Sequence, residues 1–158
     1  GDLDFSHPRA FTIILAMRRE STSSAHQIIG ADADEFIGFV SGNDKLKLRA
    51  GGSNVIIEQA TANLWAHSED YVITITKDNS GNLLSYKNST FYAESGGGTS
   101  TLTGTDLAPL NILGAQTTGG SGKNFDGIMY EVILCDTVLS TDDRNDTITY
   151  LKNKFSIS

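Results

Sequence analysis

The chain has 158 residues, of which 39% are hydrophobic and 20% charged, so it can bury a core that offsets the entropy of ordering the chain. This length is typical of one domain, and we expect one domain over residues 1–158, taken from a longer protein because residue 1 is Gly. The formal net charge of -7 argues against a nucleic-acid partner, since such proteins concentrate Lys and Arg on one face.

Strand-like segments follow one another along the chain, and each is bounded by Gly, Asn, Asp or Ser. They are Phe11–Met17, Lys45–Arg49, Val55–Glu58, Tyr71–Thr76, Leu83–Tyr86 and Gly127–Leu134. The turn-forming residues 77–82 predict a hairpin between the fourth and fifth segments. The 16 glycines and 2 prolines suit many tight turns, so we predict an all-β protein. Its longest apolar run, near Phe11–Met17, is too short to cross a bilayer, and no membrane partner is expected.

One amphipathic helix is predicted at the C-terminal end. Ser140 can cap its first turn, where Asp142 and Asp143 complement the positive end of the helix dipole. Ile148, Leu151 and Phe155 follow at offsets of three and four residues, which places them on one face. We expect this face to pack on a sheet, with the helix lying across a sheet edge.

Cys135 is the only cysteine in the chain. An internal disulfide and a zinc cluster of several cysteines are therefore excluded. We interpret Cys135 as a small apolar residue that packs in the interior and not as a reactive thiol.

The C-terminal segments carry a family resemblance. Phe125–Val132, then Leu139 and Ser140, then the helix end at Tyr150–Phe155 resemble the closing strand, Leu-Ser pair and short helix of concanavalin A-like, laminin G-like domains. Tyr71–Asn88 is similar to a hairpin of that family. Ser89 departs from the pattern, because the family usually has Gly after the Asn. The resemblance implies a two-sheet antiparallel jelly-roll sandwich with a short C-terminal helix.

This family includes lectins, glycan-binding modules, glycanases, adhesion domains and viral appendages, so the fold does not decide the function. A glycanase needs two carboxylates that face one sugar, and no such pair at short spacing occurs on a predicted strand. Gly-x-Ser-x-Gly is also absent from the sequence, which removes one common nucleophile motif. We therefore expect a protein that is not an enzyme and has no catalytic residues.

Sugar binding requires an aromatic platform and nearby polar groups that meet the hydroxyls. Trp65, Tyr86 and Tyr92 could supply the rings, and Asn88 could supply the amide. The alternative is that Trp65 and Tyr86 are residues of the core.

Calcium is the cofactor that the resemblance implies, because laminin G-like domains often hold one ion at the rim of the sandwich. Carboxylates in loops offer the oxygen ligands that Ca²⁺ prefers. The candidate ligands are Asp32, Asp34, Asp78 and Asp126. Solvated loop residues are the alternative interpretation of all four.

Two functions follow from the resemblance. The first is a binding or adhesion module, on a virion as a tail-fibre or capsid-decoration domain, that recognises glycan or a cell surface. The second is a structural module that contacts other virion subunits; a carbohydrate-binding module of a secreted enzyme is a further alternative. The lack of disulfides fits assembly in a reducing cytoplasm. We expect a location on the virion surface or outside the cell, and homo-oligomers formed through the parent protein.

Overall fold

The structure, a computed structural model, describes residues 10–20, 26–30, 36–39, 46–50, 53–57, 65, 67–91, 112–114 and 124–158. These residues form ten β-strands and one α-helix. In chain order they are β1 (Phe11–Arg19), β2 (His26–Gly30), β3 (Phe36–Phe39), β4 (Leu46–Ala50), β5 (Ser53–Ile57), β6 (Asp70–Lys77), β7 (Leu83–Lys87), β8 (Thr90–Phe91), β9 (Ile112–Leu113), β10 (Gly127–Cys135) and α1 (Thr141–Phe155).

The strands belong to two antiparallel sheets, each with five strands among the described residues. The front sheet has the order β10-β1-β6-β7-β8, and the back sheet has the order β5-β4-β3-β2-β9. Within the front sheet, β1 pairs with β10 on one side and with β6 on the other. The predicted all-β sandwich with one C-terminal helix is confirmed.

The main core lies between the two sheets. Alternate residues of β1, from Phe11 to Met17, face it together with Tyr71, Ile73 and Ile75 of β6. Ile28, Ile37 and Leu48 face it from the back sheet. This arrangement follows from the two-residue period of a strand, which sends every second side chain to the same face.

A second apolar cluster covers the opposite, outer face of the front sheet. Ile14, Ala16 and Val72 of the sheet pack there against Ile148 and Leu151 of α1. Both faces of β1 are therefore buried, which explains why its sequence is a continuous apolar run and not an alternating one. The helix packs mainly on β1 and β6, the second and third strands of the front sheet, so it lies on the face of that sheet. The expectation that it crosses a sheet edge was wrong.

Both ends of α1 are capped. The Ser140 hydroxyl accepts a hydrogen bond from the Asp143 backbone N–H at 3.1 Å, as the sequence predicts for an N-cap. At the other end Ser156 has φ 56°, and the Ile157 N–H donates to the Lys152 carbonyl at 2.9 Å. This reversal returns Ile157 to the outer cluster. No helix among the described residues has both the length and the apolar character that a membrane span needs.

Two tight turns join β6, β7 and β8. The predicted β6–β7 hairpin is confirmed by a register that pairs Lys77 with Leu83 and Ile73 with Lys87. The β7–β8 connection has Asn88 at φ 49° and Ser89 at φ 72°. Two consecutive residues with positive φ between paired strands make a type I′ turn. Ser89 therefore holds a backbone conformation that is unfavourable for most L-residues.

A β-bulge in β10 changes which side chains face outward. Ala16 pairs with Glu131, but Met17 pairs with Met129, so Tyr130 is the extra residue. Tyr130 packs in the outer cluster, where its ring stacks on Phe155 at 5.1 Å between centroids. The neighbouring Glu131 also reaches α1, because its carboxylate binds the Lys154 ammonium at 2.7 Å. The bulge thus gives two consecutive residues to the outer face.

Candidate functional site

Trp65 lies in the core and has no exposed surface. Its ring packs between Phe39, at 6.3 Å, and Tyr71, at 5.9 Å between centroids. Its carbonyl accepts a hydrogen bond from the buried Arg19 guanidinium at 3.2 Å. A sugar platform needs an exposed ring face, so this placement corresponds to the core alternative and removes Trp65 from the candidate surface.

Tyr86 is also covered, with 8% of its surface exposed. The Arg144 guanidinium of α1 lies 3.9 Å from the ring centroid, and Phe91 meets the ring edge-on at 5.6 Å. Phe91 is 49% exposed and is the aromatic side chain of this hairpin that solvent reaches. The sequence did not single it out, because an aromatic residue in a two-residue strand has no periodic signal.

Asn88 lines an open depression of about 340 Å³ at one end of the front sheet. We call it the rim depression; its lining residues are Glu69, Asp70, Lys87, Asn88, Ser156 and Ser158. The start of β6, the β7–β8 turn and the segment after α1 supply them. Residues up to 89 positions apart in the chain are thus brought together by strand pairing and by the reversal after α1.

The Asn88 side chain is already bonded to the fold. Its Oδ1 accepts a hydrogen bond from the Val72 N–H at 2.8 Å, and its Nδ2 donates to the Ser158 carbonyl at 3.3 Å. The Asn88 backbone N–H donates to the Val72 carbonyl at 2.9 Å. The predicted sugar-binding amide therefore holds the turn and the C-terminal segment against β6, and keeps one N–H and one lone pair for another partner.

The charged groups of the rim depression have defined partners. The Lys87 ammonium lies 3.4 Å from a Glu69 carboxylate oxygen and 4.8 Å from the centroid of the Tyr71 ring. The Asp70 carboxylate accepts a 2.6 Å hydrogen bond from the Tyr130 hydroxyl, a bond that raises the pKa of Tyr130 above its usual value. These contacts fix an amine and a carboxylate in one depression, where they can donate to and accept from a hydroxyl-rich ligand.

Two of the four predicted calcium ligands lie in the described residues. The Asp78 carboxylate accepts from the Asn82 side-chain amide at 2.7 Å and from the Ser80 and Asn82 backbone N–H groups at 2.8 and 2.9 Å. These hydrogen bonds, the Asn82 amide first, lower the pKa of Asp78. Asp126 is exposed. Among the described residues, no three acidic, His or Cys side chains form a group that could hold a metal. Asp32 and Asp34 lie outside those residues, as does Tyr92, so a calcium site stays a prediction.

Cys135 is half-buried at the end of β10. Burial raises the pKa of its thiol and is the larger cause, and the nearby Asp136 carboxylate raises it further. A raised pKa keeps the sulfur protonated at neutral pH and lowers its reactivity. This environment agrees with the interpretation of Cys135 as an unreactive thiol, but the half-buried side chain does not lie in the interior.

The fold is similar to those of several proteins of known structure. A Bacteroides ovatus protein proposed to bind carbohydrate superimposes with a TM-score of 0.69 at 16% identity, over 92% of this chain and 42% of that one. Trypanosoma rangeli sialidase gives 0.62 at 11% identity, over 96% of this chain and 24% of the sialidase. The binding domain of botulinum neurotoxin DC, solved in complex with SialylT, gives 0.58 at 15% identity, over 90% and 36%.

These likenesses show the fold, and at such low identity they show nothing finer. The chain spans less than half the length of each of these three proteins. No protein-family model and no curated protein sequence gives a significant match. The chain therefore has a sandwich architecture that sugar-recognising proteins also use.

Proposed function

We propose that this chain is a non-catalytic glycan-binding module and that the rim depression receives sugar hydroxyls. The observation that carries the proposal is the convergence of carboxylate, ammonium, amide and hydroxyl groups in one open depression of about 340 Å³. Sugar hydroxyls both donate and accept hydrogen bonds, so they suit a site that offers both kinds of group. The volume lies within the usual range for small-ligand sites.

The proposal is supported by the proteins that share this fold, since two of those compared above are described by what they bind: carbohydrate for one and SialylT for the other. The open form of the rim depression favours binding over catalysis. Glycoside hydrolysis uses two carboxylates that flank one bond in a site shielded from water. Here Glu69 is 61% exposed at its side chain and pairs with Lys87, and Asp70 is bonded to Tyr130.

A glycan array followed by titration calorimetry tests the proposal. We expect binding of at least one glycan, and about a tenfold loss of affinity in Asp70→Asn or Lys87→Met, because each removes a hydrogen bond that involves a charged group. Asp136→Asn is the matched control and should bind as the parent does, because Asp136 is an exposed carboxylate directly after β10 and does not line the rim depression. The proposal would be overturned if no glycan on the array binds, or if neither variant changes the affinity.

Catalysis is tested separately. We expect no release of reducing ends from β-glucans or alginate during prolonged incubation with the purified chain. Release that disappears in Asp70→Asn would instead establish a glycanase that uses the same depression.

A second candidate is a structural module that contacts other subunits, for instance on a virion. It is favoured by the exposed apolar side chains of Ile128, Leu134 and Val138, which lie on or just after β10, the last strand of the front sheet within the described part of the chain. A long apolar edge strand tends to pair with another chain. Sedimentation measures self-association. This role would be favoured if the chain self-associates, if Leu134→Lys abolishes the association, and if no glycan on the array binds. For either role, we propose a location on a virion surface or outside the cell.

A further inference from the structure

Arg144 is a largely buried cation whose side chain has no hydrogen-bond acceptor among the described residues. Its residue is only 8% exposed, and its Nε is fully buried with no partner. Its backbone N–H bonds to the Ser140 carbonyl as part of α1. The guanidinium itself makes no hydrogen bond or ion pair with any described residue; its contact is the face of Tyr86, 3.9 Å from the ring centroid.

This placement is unfavourable on two grounds. The buried Nε loses hydration that no described residue replaces, and the charge of the guanidinium has no counter-ion among the described residues. Arg144 also lies in the first turns of α1, where the positive end of the helix dipole opposes a cation. Such a local conflict is expected where a side chain serves a ligand and not the stability of the fold.

A second unsatisfied group lies beside it. Thr74 is fully buried, and its Oγ1 has no hydrogen-bond partner among the described residues. Thr74 is the direct cross-strand partner of Tyr86, so its side chain stands next to the ring on which Arg144 stacks. Two polar groups without partners therefore adjoin the same ring.

The exposed ring of Phe91 completes the arrangement. Phe91 pairs directly with Tyr86, and the next pair along the hairpin joins Lys87 to Thr90. Lys87 lines the rim depression. The guanidinium and the exposed ring thus lie on the outer face of the β7–β8 hairpin, and the rim depression lies at its turn, where Asn88 lines it.

We propose that Arg144, with Phe91, forms a subsite for the carboxylate-bearing residue of an acidic glycan, such as a uronic or sialic acid. This inference rests on the proposed function and specifies its ligand class. A guanidinium whose plane is fixed by stacking presents its N–H groups in the fork that matches a carboxylate. The Phe91 ring offers a face for the C–H groups of the same sugar. Bound carboxylate would supply the counter-charge that the described residues do not provide.

The first experiment compares ligands on the full chain by titration calorimetry. Acidic oligosaccharides are tested beside their carboxyl-reduced neutral counterparts, and sodium acetate and sulfate are tested as free anions. We expect the acidic form to bind at least tenfold more tightly than the neutral form, because the carboxylate adds charge-assisted hydrogen bonds. Arg144→Met should abolish that preference, and Arg144→Lys should recover only part of it.

Lys152→Met is the matched control, since it removes the same charge from the same helix near its other end. It should keep the preference for the acidic form. If it loses the preference as fully as Arg144→Met does, the effect is one of net charge, and the proposal of a subsite is overturned.

Melting temperatures separate a ligand-binding role from a structural one. Without ligand, Arg144→Met should melt at the same temperature as the parent chain or higher, because it removes an uncompensated buried charge. The acidic glycan should raise the melting temperature of the parent but not that of the variant. A variant that melts several degrees lower and still prefers the acidic form would show that Arg144 is a structural residue.

The outcomes also distinguish this inference from the proposed function. Binding of neutral glycans with no preference for acidic ones would overturn the subsite and leave glycan binding intact. A response to acetate or sulfate as strong as that to the acidic glycan would show an anion site unrelated to sugar. If the chain binds no glycan at all, both proposals are overturned.

Discussion

Replacing Asn88 by Ala should destabilise the protein by about 2.5–4.5 kcal/mol. The largest contribution comes from the Val72 N–H, which loses its 2.8 Å bond to Oδ1; a partly buried donor left unsatisfied costs about 1–3 kcal/mol. The lost bond to the Ser158 carbonyl is exposed and adds about 0.5 kcal/mol. The φ of 49° adds about 1 kcal/mol, since Ala tolerates the left-handed region less well than Asn.

Asn88→Gly separates these contributions. It loses the same side-chain hydrogen bonds but accepts positive φ without steric strain, so it should be about 1 kcal/mol more stable than Asn88→Ala. Urea unfolding of the three proteins, with a common m-value, measures both differences. If Asn88→Ala lies within about 0.5 kcal/mol of the parent, a typical surface value, then Asn88 does not hold the β7–β8 turn to β6 and the reasoning is refuted.

Three further predictions concern other residues. Ser89→Gly should raise the free energy of unfolding by about 1 kcal/mol by relieving the strain at φ 72°, whereas Ser89→Ala should leave it unchanged within error; equal effects of the two would show that the backbone is not strained there. Asp78→Ala should destabilise the hairpin at neutral pH. Because hydrogen bonding lowers the pKa of Asp78 in the folded state, its contribution is present above the usual carboxyl pKa of about 3.9 and is lost as the pH falls through the lower folded value. Thermal melts at decreasing pH should therefore show the two proteins converging in stability. Trp65→Ala should cost about 3–5 kcal/mol, as expected for a large core side chain, and a change below 1 kcal/mol would contradict its burial.

The long elements could be predicted from the sequence because their signals are local. β6 and β7 show β-branched residues around a polar turn, and α1 has a cap and apolar residues at helical spacing. β2 and β3 were not predicted, since they contain only five and four residues and alternation over so few residues is weak. β8 and β9 have two residues each, and pairing with a neighbouring strand, not local sequence, defines them.

The candidate site was predicted only in part. Asn88 was singled out, and it does line the rim depression. Strand register and the reversal after α1 bring Asn88 together with Glu69, Lys87 and Ser158. No short-range sequence pattern encodes these long-range contacts. The rings of Trp65 and Tyr86 could be assigned to surface or core only once their neighbours were known. Tyr130 reaches Asp70 because of the bulge in β10, and a bulge of one residue leaves little trace in sequence periodicity.

β1 divides the interior into two compartments, with Ile13 in the cluster between the sheets and Ile14 in the cluster beneath α1. Two residues joined by one peptide bond therefore pack in different clusters. Side chains without common partners couple weakly unless a shared backbone shift links them. We expect a double-mutant cycle on this adjacent pair to give a coupling below about 0.5 kcal/mol, and a larger value would show that the backbone of β1 links the two clusters. In this strand, adjacency along the chain is then a poor guide to energetic coupling, and each compartment can accumulate substitutions independently of the other.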